Sequence, residues 1–465
     1  MRSASDEIAE FLLEVSSRSL SQEVLGQAKL LFLDTVGIAL ASSTMDFGRI
    51  AIRGAQRLGG RPESSLIGAK GRVSASAAAL ANGTLSHGLD YDDTREEAIV
   101  HTGCVAVPTA LAVGEAVGAS GAETLTAAIL GVEVMCALGL VAPGSFHARS
   151  FHPTALCAPF AAAAVAGKLY GLSKEQMVHA LGIAGSQSSG IIEYLSDGSW
   201  TKRLHPGWGA HAGVIAALLA REGFTGPRTV YEGRSGFFAA FAGKEAFDPR
   251  RLKAVVERLG TSWEIRNLTF KLYPCGSISH PYMDCALRIR EQHRPRPEEI
   301  VEVCCRTSEG PVPRLWEPLA EKQRPPNGYA AKFSLPYSIA TSLVRGRARL
   351  SDFSEEAVRD PQVLNVAARV RYEIDPTSDY PRHFQGHVRV TLTSGRVLEE
   401  RQDHPRGGPD APLALEELLE KFRENSSLAL PARRVAALEE RILHVEDVHR
   451  LRSLTSLFGG SPVPP

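Results

Sequence analysis

Cysteine is scarce and unpatterned in this chain of 465 residues: Cys104, Cys136, Cys157, Cys275, Cys285, Cys304 and Cys305, with no CxxC pair. An odd count without paired spacing fits neither a disulfide framework nor a structural zinc site, and points to reduced, mostly buried thiols. Net charge is missing too. Lys+Arg and Asp+Glu are both 52, which argues against a nucleic-acid partner, since that calls for a basic face. There is no Walker loop, no G-x-G-x-x-G after a strand pattern and no G-x-S-x-G elbow, so nucleotide binding and serine hydrolysis have no support. The glycine and terminal glutamate of a calcium loop are absent. Long apolar runs are lacking as well: windows such as ALCAPFAAAAVA at 155–166 are short and alanine-rich for a bilayer span. The opening MRSASDEIAEFLLEVSS is acidic where a secretory leader is basic. The expectation is a soluble, cytoplasmic protein without membrane or nucleic-acid partners.

What the chain does have is length and periodicity. It exceeds what one hydrophobic core usually holds, so two domains are expected. Up to about residue 265 the pattern is helix after helix. Val24, Leu25, Ala28, Leu31, Phe32, Thr35, Val36, Ala39 and Leu40 keep to one helical face, with Ser19 and Gln22 as a capping box. Similar patterns recur at 74–88, 105–118, 122–140, 154–170, 174–187 and 206–222. Alanine and glycine dominate them, which predicts close helix-on-helix packing. Gly171-Leu172-Ser173 reads as one helix stop followed by the next N-cap. Beyond 265 the composition shifts to β-rich stretches at 300–307, 366–374 and 387–393, the last turning at Ser394-Gly395 into VLEER as a hairpin. Helical patterns lie between them at 280–292 and 336–345. HPRGGPDAP at 404–412 closes this region, and 413–457 is helical again. The fold class is therefore mainly α with an α+β second domain: a large helical domain from 1–265 plus 405–460, and a smaller α/β domain over 266–404 with a mostly antiparallel sheet.

Polar residues of matching type interrupt this apolar background in five places. They are SHGLDYDDTREEAIVHTG at 86–103, SFHARSFHPT at 145–154, DGSWTKRLHPGWGAHAG at 197–213, FKLYPCGSISHPYMD at 270–284 and AAKFSLPYS at 330–338. HGLDYDD contains no histidine pair one helical turn apart, so no metal is expected. Scattered lysines and histidines suit a di- or tricarboxylate: cationic donors hold it, and a histidine takes a proton beside a carboxylate. Lys202, Lys271 and Lys332 could stabilise the charge that develops, with Thr94 and Tyr337 as neutral donors. The plainer readings are that His87, His179, His205 and His211 are structural, that Asp92 and Asp93 cap the next helix, and that Lys271 and Lys332 are solvated.

Together, NGTLSHGLDYDDT with VHTG, FHPT with GKLYGLS, KRLHPGWGAHAG with AREGFTGP, KLYPCGSISHP and KFSLPYS resemble the MmgE/PrpD family in order and context, over roughly the whole chain. That resemblance implies a helical domain and an α/β lid with the active site in the cleft between them. It also implies a homodimer that needs no metal or organic cofactor. It carries the catalytic roles to Asp90, Thr94, His101, His152, Lys202 and His280. Arg203, Lys271, Ser279, Lys332 and Tyr337 follow as substrate-binding residues. In this scheme Lys202, Lys271 and Arg203 hold carboxylates, one of the three histidines moves the proton, Asp90 orients or charge-tunes a histidine, and Thr94 and Tyr337 donate hydrogen bonds. The implied reaction is a cofactor-independent dehydration of a 2-methylcitrate-type acid, with decarboxylation or epimerisation of a related acid sharing the same carbanion-like step. A helical binding protein that lost its chemistry is the reading from another class. REEAIV before His101, and HTG where the family usually has HPG, are departures from the pattern.

Overall fold

The computed structural model describes residues 2–378 and 380–459. They divide into two compact units. The first takes the described residues up to Ile192, Trp200–Leu268 and those from Ala414 onward; the second takes Glu193–Ser199 and Thr269–Leu413. Residues 405–413 thus fall in the second unit rather than the first, because Phe270 N–H donates to the Gly407 carbonyl at 2.9 Å and Gly407 N–H to Ala411 at 2.7 Å. Gly407 has φ of +100°, and a Cβ there would lie 2.0 Å from the Phe270 oxygen, so only glycine makes this closure.

Long helices build the first unit: Gln22–Ser43, Ala75–Ser86, Gly103–Val117, Gly121–Val141, Pro153–Tyr170, Lys174–Gly185 and Thr201–Arg221. A short antiparallel ladder, β1 (Ser64–Ser65) with β2 (Arg72–Val73), is the exception to its helical character. Local rules set most of the boundaries. Gly171 ends one helix in the left-handed region and Ser173 opens the next with a capping box to Gln176. The cap before Val24 differs from expectation. Ser21 accepts from Val24 N–H, whereas Ser19 is engaged by Ser16 N–H in a separate turn.

The one-faced pattern of Gln22–Ser43 also gives way to tertiary packing. From Leu31 to Ser43 every residue is buried, because the C-terminal helix Leu415–Ser427 packs on its outer side. There Phe422 contacts Gly37 and Lys421 pairs with the buried Asp34 at 2.6 Å. Two helices, Gln22–Ser43 and Gly121–Val141, are long and apolar enough to cross a membrane; both exceed the 155–166 window in length, and 72% and 100% of their most apolar 18-residue stretches are buried inside the protein.

Small residues set the central spacing. Gly207 on Thr201–Arg221 sits where a Cβ would fall 2.2 Å from the Leu80 carbonyl oxygen of Ala75–Ser86, and Gly209 and Gly213 meet Ala158 and Ala162 in the same way. This close approach brings the C-terminal end of Ala75–Ser86 to the N-terminal end of Thr201–Arg221.

The second unit holds a four-stranded sheet in the order β4 (Val370–Ile374), β3 (Ile300–Thr307), β5 (Gly386–Leu392), β6 (Val397–Gln402). β3 and β4 run parallel with Val303 opposite Val370, while β3–β5 and the β5–β6 hairpin are antiparallel. The stretch read as β from 366 starts as strand only at Val370, since Pro361–Ala367 is helix capped by Asp360. His280–His293 and Leu335–Arg345 supply the helical layer. Among the described residues all seven cysteines are free, and all but Cys304 are buried.

Candidate active site

His87 caps the C-terminus of Ala75–Ser86, and the chain then turns through Asp90, a non-glycine residue at φ +54°. Aspartate tolerates that region better than most residues, though still at a cost of order 1 kcal/mol. The turn separates three aspartates into three tasks. Asp92 accepts from His87 Nδ1 at 2.7 Å, with both side chains fully buried. Asp93 caps Gly103–Val117, taking Thr102 N–H at 2.9 Å, the Thr102 hydroxyl at 2.7 Å and Gly103 N–H at 2.8 Å. Asp90 takes the Lys202 ammonium at 2.6 Å, buried on both sides. Capping therefore describes Asp93, while Asp92 is engaged by His87. Thr102 matters here: a proline in its place would lack both the N–H and the hydroxyl that hold Asp93.

The unusual 95–100 loop closes on itself. Arg95 N–H donates to the Val100 carbonyl at 2.9 Å, and Ile99 is held at φ +53°, which for a β-branched residue is strained backbone. The loop returns His101 to Thr94, whose hydroxyl is 3.1 Å from His101 Nδ1. The same Nδ1 lies 2.7 Å from the Asp93 carbonyl oxygen. A carbonyl only accepts, so neutral His101 carries its proton on Nδ1 and its lone pair on Nε2.

His152 is the N-cap residue of Pro153–Tyr170, with proline at the first helical position. Its N–H donates to Gly190 at 2.9 Å and its Nδ1 lies 3.1 Å from His205 Nδ1. The next turn contributes Thr154, whose hydroxyl accepts from His101 N–H at 3.1 Å. Ring centroids are 5.0 Å apart for His87–His101, 5.6 Å for His87–His152, 6.1 Å for His101–His152 and 5.3 Å for His152–His205. Lys202 and Arg203 come from the first turn of Thr201–Arg221, with the Arg203 guanidinium 4.0 Å above the Phe47 ring.

Charge and burial tune this cluster. Burial, then the neighbouring His205, Lys202, His87 and His101, hold His152 well below the ordinary imidazole range. Burial, then His87 and Lys202, press His205 down to about 3. Burial and Asp92 push Asp93 up to about 7 against the pull of its three donors. At neutral pH His152 and His205 are thus uncharged, and able to accept or pass a proton.

The first unit therefore brings together Asp90, Thr94, His101, His152 and Lys202, with Arg203 beside Lys202 in the chain. It adds two residues that sequence reasoning treated as structural, His87 and His205. The available signal was weak: both lie inside the quoted motifs, and His205 is one turn from Lys202. Asp90 pairs with the Lys202 ammonium, and the Asp92 carboxylate is seated on His87. His179 and His211 do meet backbone, at Gly226 and Ser76.

The second unit carries its own group. Lys271 and Ser279 are fully buried, and the Ser279 hydroxyl has no hydrogen-bond partner among the described residues. His280 opens His280–His293, its ring 5.1 Å from that of Tyr273, which donates to Asp284 at 2.7 Å. The Lys332 ammonium donates to the Pro274 carbonyl at 2.6 Å, so it is held by backbone rather than solvated. Tyr337 is fully buried and its hydroxyl donates to the Asp352 carbonyl at 2.8 Å. That bond engages the proton assigned to substrate and makes Tyr337 an anchor of the 350–353 turn.

Residues 6–250 match the MmgE/PrpD N-terminal domain and residues 273–446 the MmgE/PrpD C-terminal domain. A cis-aconitate decarboxylase-like protein of Aspergillus oryzae is 25% identical over 98% of this chain and 97% of its own length. The cis-aconitate decarboxylase of Homo sapiens is 28% identical over 96% of this chain and 92% of its own. A 2-methylcitrate dehydratase of Escherichia coli is 24% identical over 70% of this chain and 66% of its own. With both domain families matched in order along most of its length, the chain belongs to the MmgE/PrpD family.

Proposed function

We propose that this enzyme is a cofactor-independent lyase that decarboxylates an unsaturated tricarboxylate of the cis-aconitate type. The observation that carries the reading is the buried Lys202–Asp90 pair at 2.6 Å beside uncharged His152. A carboxylate entering the cluster meets an ammonium that is already desolvated and has donors beyond the one held by Asp90. In the reaction a carbon–carbon bond breaks and carbon dioxide leaves. The bonding pair passes into the conjugated alkene and its carboxylate, and a proton returns at the far end of the allylic system. Lys202 and Arg203 stabilise the charge on the carboxylates. A histidine, His101 or His152, supplies or relays the proton, and the Asp93 carbonyl holds His101 in the tautomer described above, with the Thr94 hydroxyl beside the same nitrogen. Lys271, Ser279, His280 and Lys332 are assigned to the same reaction by motif.

The decarboxylase reading takes precedence over the dehydratase reading because the cis-aconitate decarboxylases align over nearly the whole chain, the dehydratases over less of it. Dehydration is the second reading: the same base removes a proton beside a carboxylate, and hydroxide leaves with a proton as water. Incubation with cis-aconitate and with 2-methylcitrate separates them. Proton NMR is expected to show an itaconate-type product and released carbon dioxide from the first acid. Turnover of 2-methylcitrate alone, with cis-aconitate untouched, overturns the decarboxylase reading; turnover of neither overturns both.

A further inference from the structure

The histidines of this cluster have a property that acid–base chemistry does not require. His87, His101 and His152 are buried, at 0%, 8% and 2% exposure, and one ring nitrogen from each lies within 4.8 Å of those of the other two. Each Nδ1 is already committed to a protein group: that of His87 to the Asp92 carboxylate at 2.7 Å, that of His101 to the Asp93 carbonyl at 2.7 Å, and that of His152 to His205 at 3.1 Å. His87 Nε2 is fully buried and has no hydrogen-bond partner among the described residues. Imidazoles that bind metal are oriented in this way, one nitrogen donating to a carboxylate, carbonyl or neighbour while the other faces the ion. Cys104 and Asp92 form a second group with His87 at the same spacing.

We infer that His87, His101 and His152 form a binding site for a divalent transition-metal ion of the zinc class, and that its occupancy blocks the reaction proposed above. The inference about binding stands on the geometry alone; the inference about inhibition rests on the proposed function. Three imidazole nitrogens leave a fourth position for water or a carboxylate oxygen, the common zinc arrangement, with Zn–N distances of about 2.0–2.1 Å reached by small side-chain rotations. The Lys202 charge opposes a dication, but Asp90 pairs with it at 2.6 Å, and the Asp92 carboxylate sits on His87 Nδ1 at 2.7 Å. The ion would occupy the lone pairs that His101 and His152 need for proton transfer, which makes it an inhibitor rather than a participant. Sequence spacing hides this site because His87 and His101 are 14 residues apart in one segment and His152 lies 51 residues further on in another.

Cobalt(II) added to chelator-treated full-length protein reports binding through its visible d–d bands, without reference to activity. One equivalent with tetrahedral bands is expected. His87→Asn should abolish the bands, and Asp92→Asn should weaken affinity by about 10–100-fold. His404→Asn, far along the chain in the second unit, should leave them unchanged. Featureless binding, or bands that survive His87→Asn, overturns the site. Should His87→Asn misfold, anomalous diffraction from zinc-soaked wild-type crystals decides: density between the three imidazoles supports the site, and density elsewhere or none overturns it. Inhibition is read separately, as zinc competing with cis-aconitate and reversed by chelator. Bands without inhibition leave the metal site standing and overturn its blocking role, whereas absence of turnover with bands present counts against the proposed function alone.

Discussion

At the scale of single residues, the site is a problem of buried charge. Lys202 and Asp90 are each nearly inaccessible, so removing one partner strands the other in a low dielectric. Lys202→Met is expected to lose activity and about 3–5 kcal/mol of stability, while Lys202→Met with Asp90→Asn recovers much of the stability and none of the activity. Urea melts beside turnover assays check this; equal stability of the single and double variants would show that the pair is not coupled. A second residue-scale prediction concerns pH. His205 is pressed from the usual 6.5 down to about 3 in the folded protein, so between those values the unfolded chain binds a proton that the folded chain refuses. Its stabilising contribution is therefore full above pH 6.5 and is lost as pH falls toward 3. Asp93 acts in the opposite sense, but equally in both proteins. The melting-temperature gap between wild type and His205→Gln should therefore narrow from pH 7.5 to pH 5; parallel curves would refute the assignment.

At the scale of elements, helix spacing positions the chemistry. Gly207→Ala would place a methyl group 2.2 Å from the Leu80 oxygen and 2.3 Å from the Thr84 hydroxyl. It should destabilise the protein by about 1–3 kcal/mol and impair turnover, because it moves Lys202 and His205 away from His87. Gly26→Ala, in the Gln22–Ser43 helix with nothing within 4 Å, should instead stabilise by about 0.5–1 kcal/mol. Calorimetry on the two variants reads opposite signs, and a like sign would undo the packing argument. Helix and strand positions were largely legible in the sequence, because period, capping and turn chemistry are local: β3 and the Ser394-Gly395 hairpin match their sequence patterns. The cap at Ser21, the late start of β4 and the all-round burial after Leu31 were not. Each depends on a neighbour remote in the chain or on competition for one hydroxyl.

At the scale of the whole molecule, the chain leaves the helical unit at Leu268 and returns to it at Ala414. Its last helices therefore complete the first unit. Truncation after residue 413 would uncover the apolar side of Gln22–Ser43 that Phe422 now covers and leave Asp34 without the Lys421 ammonium. Loss of soluble protein, or a steep fall in melting temperature with rapid proteolysis of the first unit, is expected. Wild-type stability of the truncated chain would contradict this closure.

By itself, the sequence determined the helical and sheet character of the two regions, the family and the motif residues from which the site is built, because periodicity, composition and motif order are written along the chain. Only the tertiary structure decided which aspartate meets which partner, that Tyr337 spends its hydroxyl on backbone, and that His87 and His205 join His101 and His152. The Lys202–Asp90 and His152–His205 contacts span 112 and 53 residues of chain, separations over which no local pattern carries information. Asp92–His87 and Tyr337–Asp352 span only 5 and 15, but burial and the path of the backbone, not spacing, select those partners.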